Sequence, residues 1–378
     1  MKDTGPTTTE ISTTLFTKAF KNLEDARRTD KGYFYYPLDE ILFLCISASL
    51  SGFETWVGIE TFGSEKLDWL RKFFPYKHGI PSDDVLGKLF ARLDSVNFNK
   101  CFTEWINSIV KLTKGEVIAI DGKTIKGSGI QGKHKPFHLV SAYASQNRLS
   151  LGQVATDEKS NEITAIPDLL DTLAIKGCTV TIDAMGCQKK IAKKIISKNA
   201  NYILMLKDNQ KEMLEQVKKV FGITKISDSN EQLDTGHGRI EKRKCDIITD
   251  LHFLDGKEKW KEIKTIVRIK SDRHTKQTGK DQSETRYYIS SSIQDAAGFN
   301  NNIRSHWSVE NNLHWCLDVI FKEDNSLKKK GNSAVNFNIV SKIALAMLEK
   351  ETSLNTSKPI KRIKAALSDL YREKLLKC

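Results

Sequence analysis

Apolar residues recur at helical spacing through residues 16–110, in LFTKAFKNL, in LDEILFLCISASL behind Pro37, and in DDVLGKLFARL behind Pro81 and Ser82. The spacing predicts a helical region. Residues 117–120 (VIAI) break the pattern: a β-branched run ended by Asp121-Gly122 predicts a buried strand meeting a turn. FHLVSAYAS and LSLGQVAT, parted by Gln146-Asn147-Arg148, extend it into an antiparallel meander. Then AIPDLLDTLAI predicts a helix, VTIDAMG a buried strand ending on an acid, CQKKIAKKIISK a helix and YILMLK a strand. Three strands, helix, strand, helix, strand is the order of an α/β sheet built from a meander and two crossover units. Across residues 231–292 the pattern becomes alternating and charged (RIEKRKCDIIT, IKTIVRIKS, ETRYYISSS), which predicts an inserted β segment. Helices return over 296–351, and 358–378 predicts one basic helix. No repeat is visible.

Composition narrows the class. A chain of 378 residues with 39% hydrophobic and 28% charged residues folds, and its length suits two or three domains. A peptide hormone or a lone zinc finger is excluded. Lys and Arg number 60 against 47 Asp and Glu, a formal charge of +13 that favours a polyanionic partner, nucleic acid first. Many proteins are basic for solubility alone. The 7 cysteines are scattered without a C-x-x-C pair, which suits reduced thiols and offers no zinc site. The longest apolar run, 41–50, is about half the roughly 20 residues of a membrane helix, so no membrane partner and a cytoplasmic location are expected. Residues 1–12, polar and Thr-rich, read as a flexible leader.

Two acids stand at strand ends. Asp121 closes VIAID and Asp183 closes VTIDA, and ligands commonly bind at such ends of open α/β sheets. Were the strands neighbours, the carboxylates would share hard divalent cations; the plainer reading makes each a turn residue. Gly122-Lys123-Thr124 mimics the end of a P-loop, but the earlier glycine would fall at Val117, inside the strand, so that reading fails. In RSHWSVENNLHWCLD (304–318), helical spacing puts Glu310, His314 and Asp318 on one face. A solvated face above packed tryptophans is the alternative, and the two histidines lack a third ligand at zinc spacing.

These residues carry a resemblance. IAIDGKTIKGS, KSNEITAIPDLLDTL, TIDAMGCQKKIA, GHGRIEKR and RSHWSVENNLHWCLDVIFKED resemble, in this order, the motifs of DDE transposases of the ISAs-type, H-repeat-associated insertion-sequence family. YPLDEILFL and GIPSDDVLGKLFARLD are similar to the domain that precedes the core in that family. The resemblance implies an RNase H-like α/β catalytic core with a β-rich insertion, preceded by a helical N-terminal domain. The divisions it implies are a leader to 12, a helical domain 13–112, the core 113–228, the insertion 229–293, the core's last helices with the third acid 294–351, and a basic tail helix 352–378. It assigns Asp121, Asp183 and Glu310 as the catalytic, metal-holding acids around two Mg²⁺ ions, for which Mn²⁺ substitutes. Asn161, Glu162 and Gln188 lie in its motifs and are expected, with His314 and Asp318, to support the metals.

There are departures from the pattern. Where related groups place Tyr, Arg and Lys around the Glu, this chain has Ile303, His306 and Leu317, and Asp208 replaces the glycine of a Leu-Lys-Gly-Asn-Gln motif. A lost glycine alters a turn. His306 and Arg304 are then the expected phosphate handlers. Lys123, Lys126 and Lys207 flank the acids as candidate phosphate contacts, or as ordinary solvated lysines. His237, Arg239 and Arg243 are candidates to grip DNA near the cut, and Trp307 to stack on a base, with hairpin closure and core packing as the plainer roles. The N-terminal helices and Lys361, Arg362, Lys364, Arg372, Lys374 and Lys377 of the tail are candidates for recognising element ends.

The function so implied is DNA cleavage at the ends of an insertion sequence and transfer of the 3′-hydroxyl to target DNA. The partners are duplex element ends and target DNA, with the protein acting as a homodimer or higher assembly, associated with the nucleoid when bound. Two alternatives stand: an inactive or repurposed DNA-binding protein, and a nuclease that cuts without joining.

Overall fold

Polar Asp121 and Gly122 do not end the first strand: β1 runs over Val117–Thr124, because Gly122 keeps an ordinary extended backbone and pairs with Val140 of β2 (His138–Ala144). The turn expected at Asp121-Gly122 is thereby corrected. This computed structural model describes residues 17–27, 35–130, 135–156, 162–236 and 238–377. Ahead of β1 stand α1 (Leu38–Leu50), α2 (Trp56–Glu65), α3 (Asp83–Arg92) and α4 (Ser95–Ile109). The caps are local: Thr55 accepts from Gly58 N–H before α2, and Asp94 from Val96 N–H before α4.

The meander is completed by β3 (Leu149–Thr156), antiparallel to β2. Helix α5 (Glu162–Thr172) leads to β4 (Thr179–Ile182), and α6 (Lys189–Ser197) leads to β5 (Asn201–Leu206); β4 and β5 run parallel to β1. Helix α7 (Lys211–Ile223) is followed by four antiparallel strands, β6 (Asp228–Gly236), β7 (Arg239–Ile248), β8 (Thr265–Thr275) and β9 (Lys280–Ser290). The sheet order is β3-β2-β1-β4-β5-β9-β8-β7-β6. Its first five strands have the RNase H-like arrangement that the resemblance implied. The insertion is no separate layer: β9 pairs with β5, so the insertion prolongs the core sheet. Strand β6 escaped the pattern because it is an edge strand of DSNEQLDTG, nearly all exposed.

Beyond β9 come α8 (Ala296–His306), capped by Asp295, then two π-helical turns, Val309–His314 and Cys316–Ile320. Helix α9 (Ser333–Lys350) follows, and the expected tail helix is two helices, α10 (Lys358–Leu367) and α11 (Asp369–Leu376), parted at Ser368, which caps the second.

Strand alternation divides the core. Ile118, Ile120, Val180 and Ile182 face α5–α7 through Leu169, Ile191 and Val217. Ala119 faces the other way. There, one apolar cluster joins Leu44, Phe90 and Phe102 of the N-terminal helices to Val309 and Leu313 of the π turns, Ile343 of α9 and Leu375 of α11. The N-terminal helices therefore share their core with the last third of the chain. Each such fully buried side chain contributes about 1.5–3 kcal/mol, so the helical region and the π turns hold each other in place. Among the described residues, no helix is long and apolar enough to cross a membrane.

Candidate active site

Parallel pairing brings the two strand-end acids together. Ile120 pairs with Ile182, the last register pair of β1 and β4, so Asp121 lies next beyond one and Asp183 next beyond the other. Asp121 shares its strand face with Ala119 and Lys123, the face that meets the π turns. The loop carrying Asp183 is fastened from within. Asp183 Oδ1 accepts from the N–H groups of Met185 (3.1 Å) and Gly186 (3.3 Å). Asn209 Nδ2 donates to Ala184 O at 2.6 Å, and Gln210 Nε2 donates to Cys187 O at 3.0 Å. Gln188 caps α6 without a side-chain cap bond and instead links Met185 O to Gln210. Asp208 opens a short 3-10 turn without a left-handed backbone angle, so the glycine of the family motif is not required there.

Glu310 arrives on a helix wound more widely than an α-helix. The N–H of Trp315 reaches Glu310 O and that of Phe321 reaches Cys316 O, five residues back in each case. Such π turns re-aim side chains and concentrate at functional sites. Glu310 stands exposed at the rim, while His314 is buried with Nδ1 3.5 Å from Asp121 Oδ2. Asp318, one turn further, lies 2.8 Å from the Lys123 ammonium. The stripe expected from helical spacing thus splits into an exposed acid, a buried imidazole and a lysine partner.

Electrostatics ties the acids into one group. Burial, then repulsion from Glu310, Glu162 and Asp183, pushes the Asp121 carboxyl from 3.8 to about 7, although the Gly122 amide opposes the shift. Asp183 is raised by burial and by Glu162, and Glu310 by the partial desolvation of its carboxyl at the rim. Glu162 opens α5 on the opposite face of the sheet, where its Oε1 is 2.8 Å from His138 Nε2; His138 Nδ1 lies 2.9 Å from Thr124 Oγ1. Both groups fill the space beside Gly122: a Cβ there would meet Glu162 Oε1 at 2.1 Å and His138 Nε2 at 2.4 Å. Among the described residues, no lysine or arginine is ion-paired to Asp121, Asp183 or Glu310. Nor are any three His, Cys, Asp or Glu side chains gathered into a ready cage for a metal ion. The donor set nevertheless suits a hard divalent cation: carboxylate oxygens in mutual repulsion, with open positions for water and phosphate.

The other expected residues divide. Lys123 is held by Asp318 and by Glu323, which is itself bonded by Asn338, so its charge is already engaged. Lys126 pairs with Asp324 at 3.1 Å but is exposed. Lys207 is exposed and lowers the Asp183 carboxyl by its charge. His306 turns Nδ1 to Thr181 Oγ1 at 3.0 Å, and burial brings it down to about 4, a neutral ring in β4's neighbourhood. Arg239, Arg243, Arg304, Trp307 and Glu310 line one cavity between the insertion and α8. Asn161 and His237 lie outside the described residues.

Three of the tail cations are not available to DNA. Arg372 is fully buried and donates to Ala365 O, Arg362 bonds Ser49 O, Ile320 O and Glu54, and Lys361 bonds Leu348 O and Glu351. They satisfy carbonyls and carboxylates buried where α10 and α11 dock. Residues that pattern reasoning missed include His138, Glu323, Arg273, Arg286 and Lys342. Only Lys342 left a signal, as a lone cation in the apolar run VSKIALAML; it is buried, donates to Ser141 Oγ at 2.8 Å, and burial lowers it to about 7.

Comparison with known proteins matches two families along the chain. Residues 112–347 match the family described as Transposase DDE domain, and residues 17–106 match the family described as DDE_Tnp_1-associated. The "Putative transposase YncI" of Escherichia coli O157:H7 is 41% identical over 354 residues, covering 92% of this chain and 90% of the relative. The "H repeat-associated putative transposase YhhI" of Escherichia coli strain K12 is 36% identical over 351 residues, covering 90% and 92%. A piggyBac transposase synaptic complex with hairpin DNA, solved by cryo-electron microscopy, is 12% identical with a TM-score of 0.46, over 98% of this chain and 82% of that one.

Proposed function

This chain belongs to the transposase DDE-domain family, and from that membership we propose that it cuts DNA at the ends of an insertion sequence and joins the freed 3′-hydroxyl to target DNA. The observation that carries the reading is the parallel pairing of β1 with β4, which sets Asp121 beside Asp183, with the charge of Glu310 reaching Asp121. Asp121 is set by β1, Asp183 by the fastened loop just past β4 and Glu310 by the π turn, so the acids come from three separate segments. They are the residues to hold the divalent ions, Mg²⁺ or Mn²⁺, that the family uses. A pair of such ions, when bound, supplies Lewis-acid activation of water and neutralises charge on the phosphate.

The rest of the work belongs to this chain's own side chains. Met185 and Gly186 amides orient the Asp183 carboxylate, and His138 orients Glu162 beside it. Lys207, whose charge reaches Asp183, and Lys126, paired with Asp324, stand exposed to meet backbone phosphates, adding affinity and salt dependence but no sequence choice. The protein acts on duplex DNA as a homodimer or higher assembly in this reading.

Labelled element ends, supplied with Mg²⁺, test it with the full chain and with Asp121→Asn, Asp183→Asn and Glu310→Gln. Strand-transfer product from the native chain, lost in each variant with gel-shift binding kept, is the expected result. Cleavage without joining would make the protein a nuclease, and a mobility shift alone would make it a DNA-binding protein.

A further inference from the structure

Beside the acids, where β7, β8 and β9 face α8, lies a cavity of about 290 Å³ whose walls include Arg239, Arg243, Arg273, Arg286 and Arg304, with Trp307 and Glu310 at its side. The guanidiniums are not equally neutralised. Arg286 holds Glu284 through two bonds of 2.6–2.7 Å and lies 5.3 Å from the centre of the Trp307 ring. Arg304 is 2.8 Å from Asp234, and Arg304 and Arg273 share Glu241 at 3.5 Å each. Among the described residues, Arg239 and Arg243 have no ion-paired carboxylate. Arg243 is 8% exposed, makes one side-chain bond, to Gln232 Oε1 at 3.1 Å, and leaves Nε without a partner; Nε of Arg273 is likewise unpartnered.

A buried guanidinium lacking an anion is costly, and its planar fork fits phosphate oxygens in pairs. Glu241 and Asp234 reach Arg243 only through their charge, and two guanidiniums without an ion-paired carboxylate match a dianion better than the single charge of an internal phosphodiester. We propose that this cavity is a binding site for a phosphate monoester, the terminal 5′-phosphate of a cleaved DNA strand. The source follows from the chemistry and rests on the proposed hydrolysis. Water oxygen bonds to phosphorus, the P–O3′ bond breaks, and the 3′ oxygen leaves with a proton as the 3′-hydroxyl. The phosphate stays on the 5′ end of the other fragment. Glu310 borders both the acid group and this cavity, so the new 5′ end has a seat beside the place where it is made.

Fluorescence anisotropy with the full chain in EDTA, which prevents cutting, tests the site. The probes are one duplex carrying a 5′-phosphate and the same duplex carrying a 5′-hydroxyl, with inorganic phosphate and a nucleoside monophosphate as competitors. The phosphorylated duplex is expected to bind roughly tenfold tighter, the scale of one charge-assisted hydrogen-bonding group. Arg243→Gln brings the ratio toward one, and Arg243→Lys, which keeps the charge but loses the fork, leaves an intermediate ratio. Should Arg243→Gln fail to melt cooperatively, Arg239→Gln carries the same comparison. Equal affinity for the two duplexes in the native chain overturns the site, as does a variant that weakens both alike. Competitors that erase the preference support a monoester seat, and competitors that displace both duplexes equally refute it. If neither duplex binds, the transposase reading fails instead.

Discussion

His314 sets its Nδ1 3.5 Å from Oδ2 of Asp121 and leaves its Nε2 buried without a hydrogen-bond partner. Burial, reinforced by Lys342 and Lys123, takes this imidazole down to about 3, so it is neutral at physiological pH and gives Asp121 no countercharge. The acid is thus held among other acids, with its carboxyl at about 7.

The first prediction concerns stability and pH. Between the unfolded value of 3.8 and about 7, the folded chain keeps a proton on Asp121 that the unfolded chain has lost. Stability therefore falls as pH rises through that window, by roughly 2–4 kcal/mol in the metal-free protein. Asp121→Asn removes the penalty, and its melting temperature in EDTA at pH 8 should exceed that of the native chain, with the gap narrowing at pH 4 and on addition of Mg²⁺. Thermal melts at the two pH values decide this; a lower melting temperature at pH 8 would contradict it.

A side chain at Gly122 is expected to displace Glu162 and His138. Alanine there meets Glu162 and His138 inside contact distance, an overpacking that costs about 1–3 kcal/mol and displaces the fourth carboxylate of the group. Gly122→Ala should lose cleavage while still shifting DNA in gels. Native cleavage rates in this variant would show that Glu162 need not stay where it is.

Lys123 and Lys126 differ by two positions and should differ widely in effect. Lys123→Gln leaves buried Glu323, and with it Asp318, without their cation, at a cost of about 3–5 kcal/mol. Lys126→Gln removes an exposed pair with Asp324 and should cost about 0–1 kcal/mol, while reducing the salt dependence of DNA binding. Urea denaturation of the two variants gives the comparison, and equal midpoints would refute the buried network.

Arg362 is a structural cation by its surroundings. Arg362→Ala strands the buried carbonyls of Ser49 and Ile320 and the carboxylate of Glu54, so a loss of about 3–5 kcal/mol is expected. Its DNA affinity below the melting transition should match the native chain's. A variant with native stability and weakened DNA binding would restore the tail as a DNA contact.

Much of the site was legible because two signals are local. Alternation located β1–β5 and brought Asp121, which proves to lie within β1, beside Asp183 just past the end of β4, and motif order singled out Glu310 and Glu162. The misreadings have local causes too. Asp-Gly usually turns a chain, yet here the glycine is held extended by Val140 so that Glu162 and His138 can close over it. A run of lysines and arginines usually means a solvated face, yet Lys361 and Arg372 turn inward to carbonyls of neighbouring turns and helices, and Arg362 to those of Ser49 and Ile320 far away in sequence.

The chain's own pattern determined the order of strands and helices, the net positive charge and the kinds of side chain available for phosphate chemistry, since these depend on spacing and composition. Tertiary structure alone decided which charges are spent and which are free. Lys123 is neutralised by acids that follow it by some two hundred residues, Arg243 keeps its Nε unpartnered at a cavity wall, and Glu310 is aimed by a π turn whose apolar side is buried against the N-terminal helices. The physical reason is that a charge's role depends on the dielectric and partners around it, and both are assembled only when segments far apart in sequence pack together.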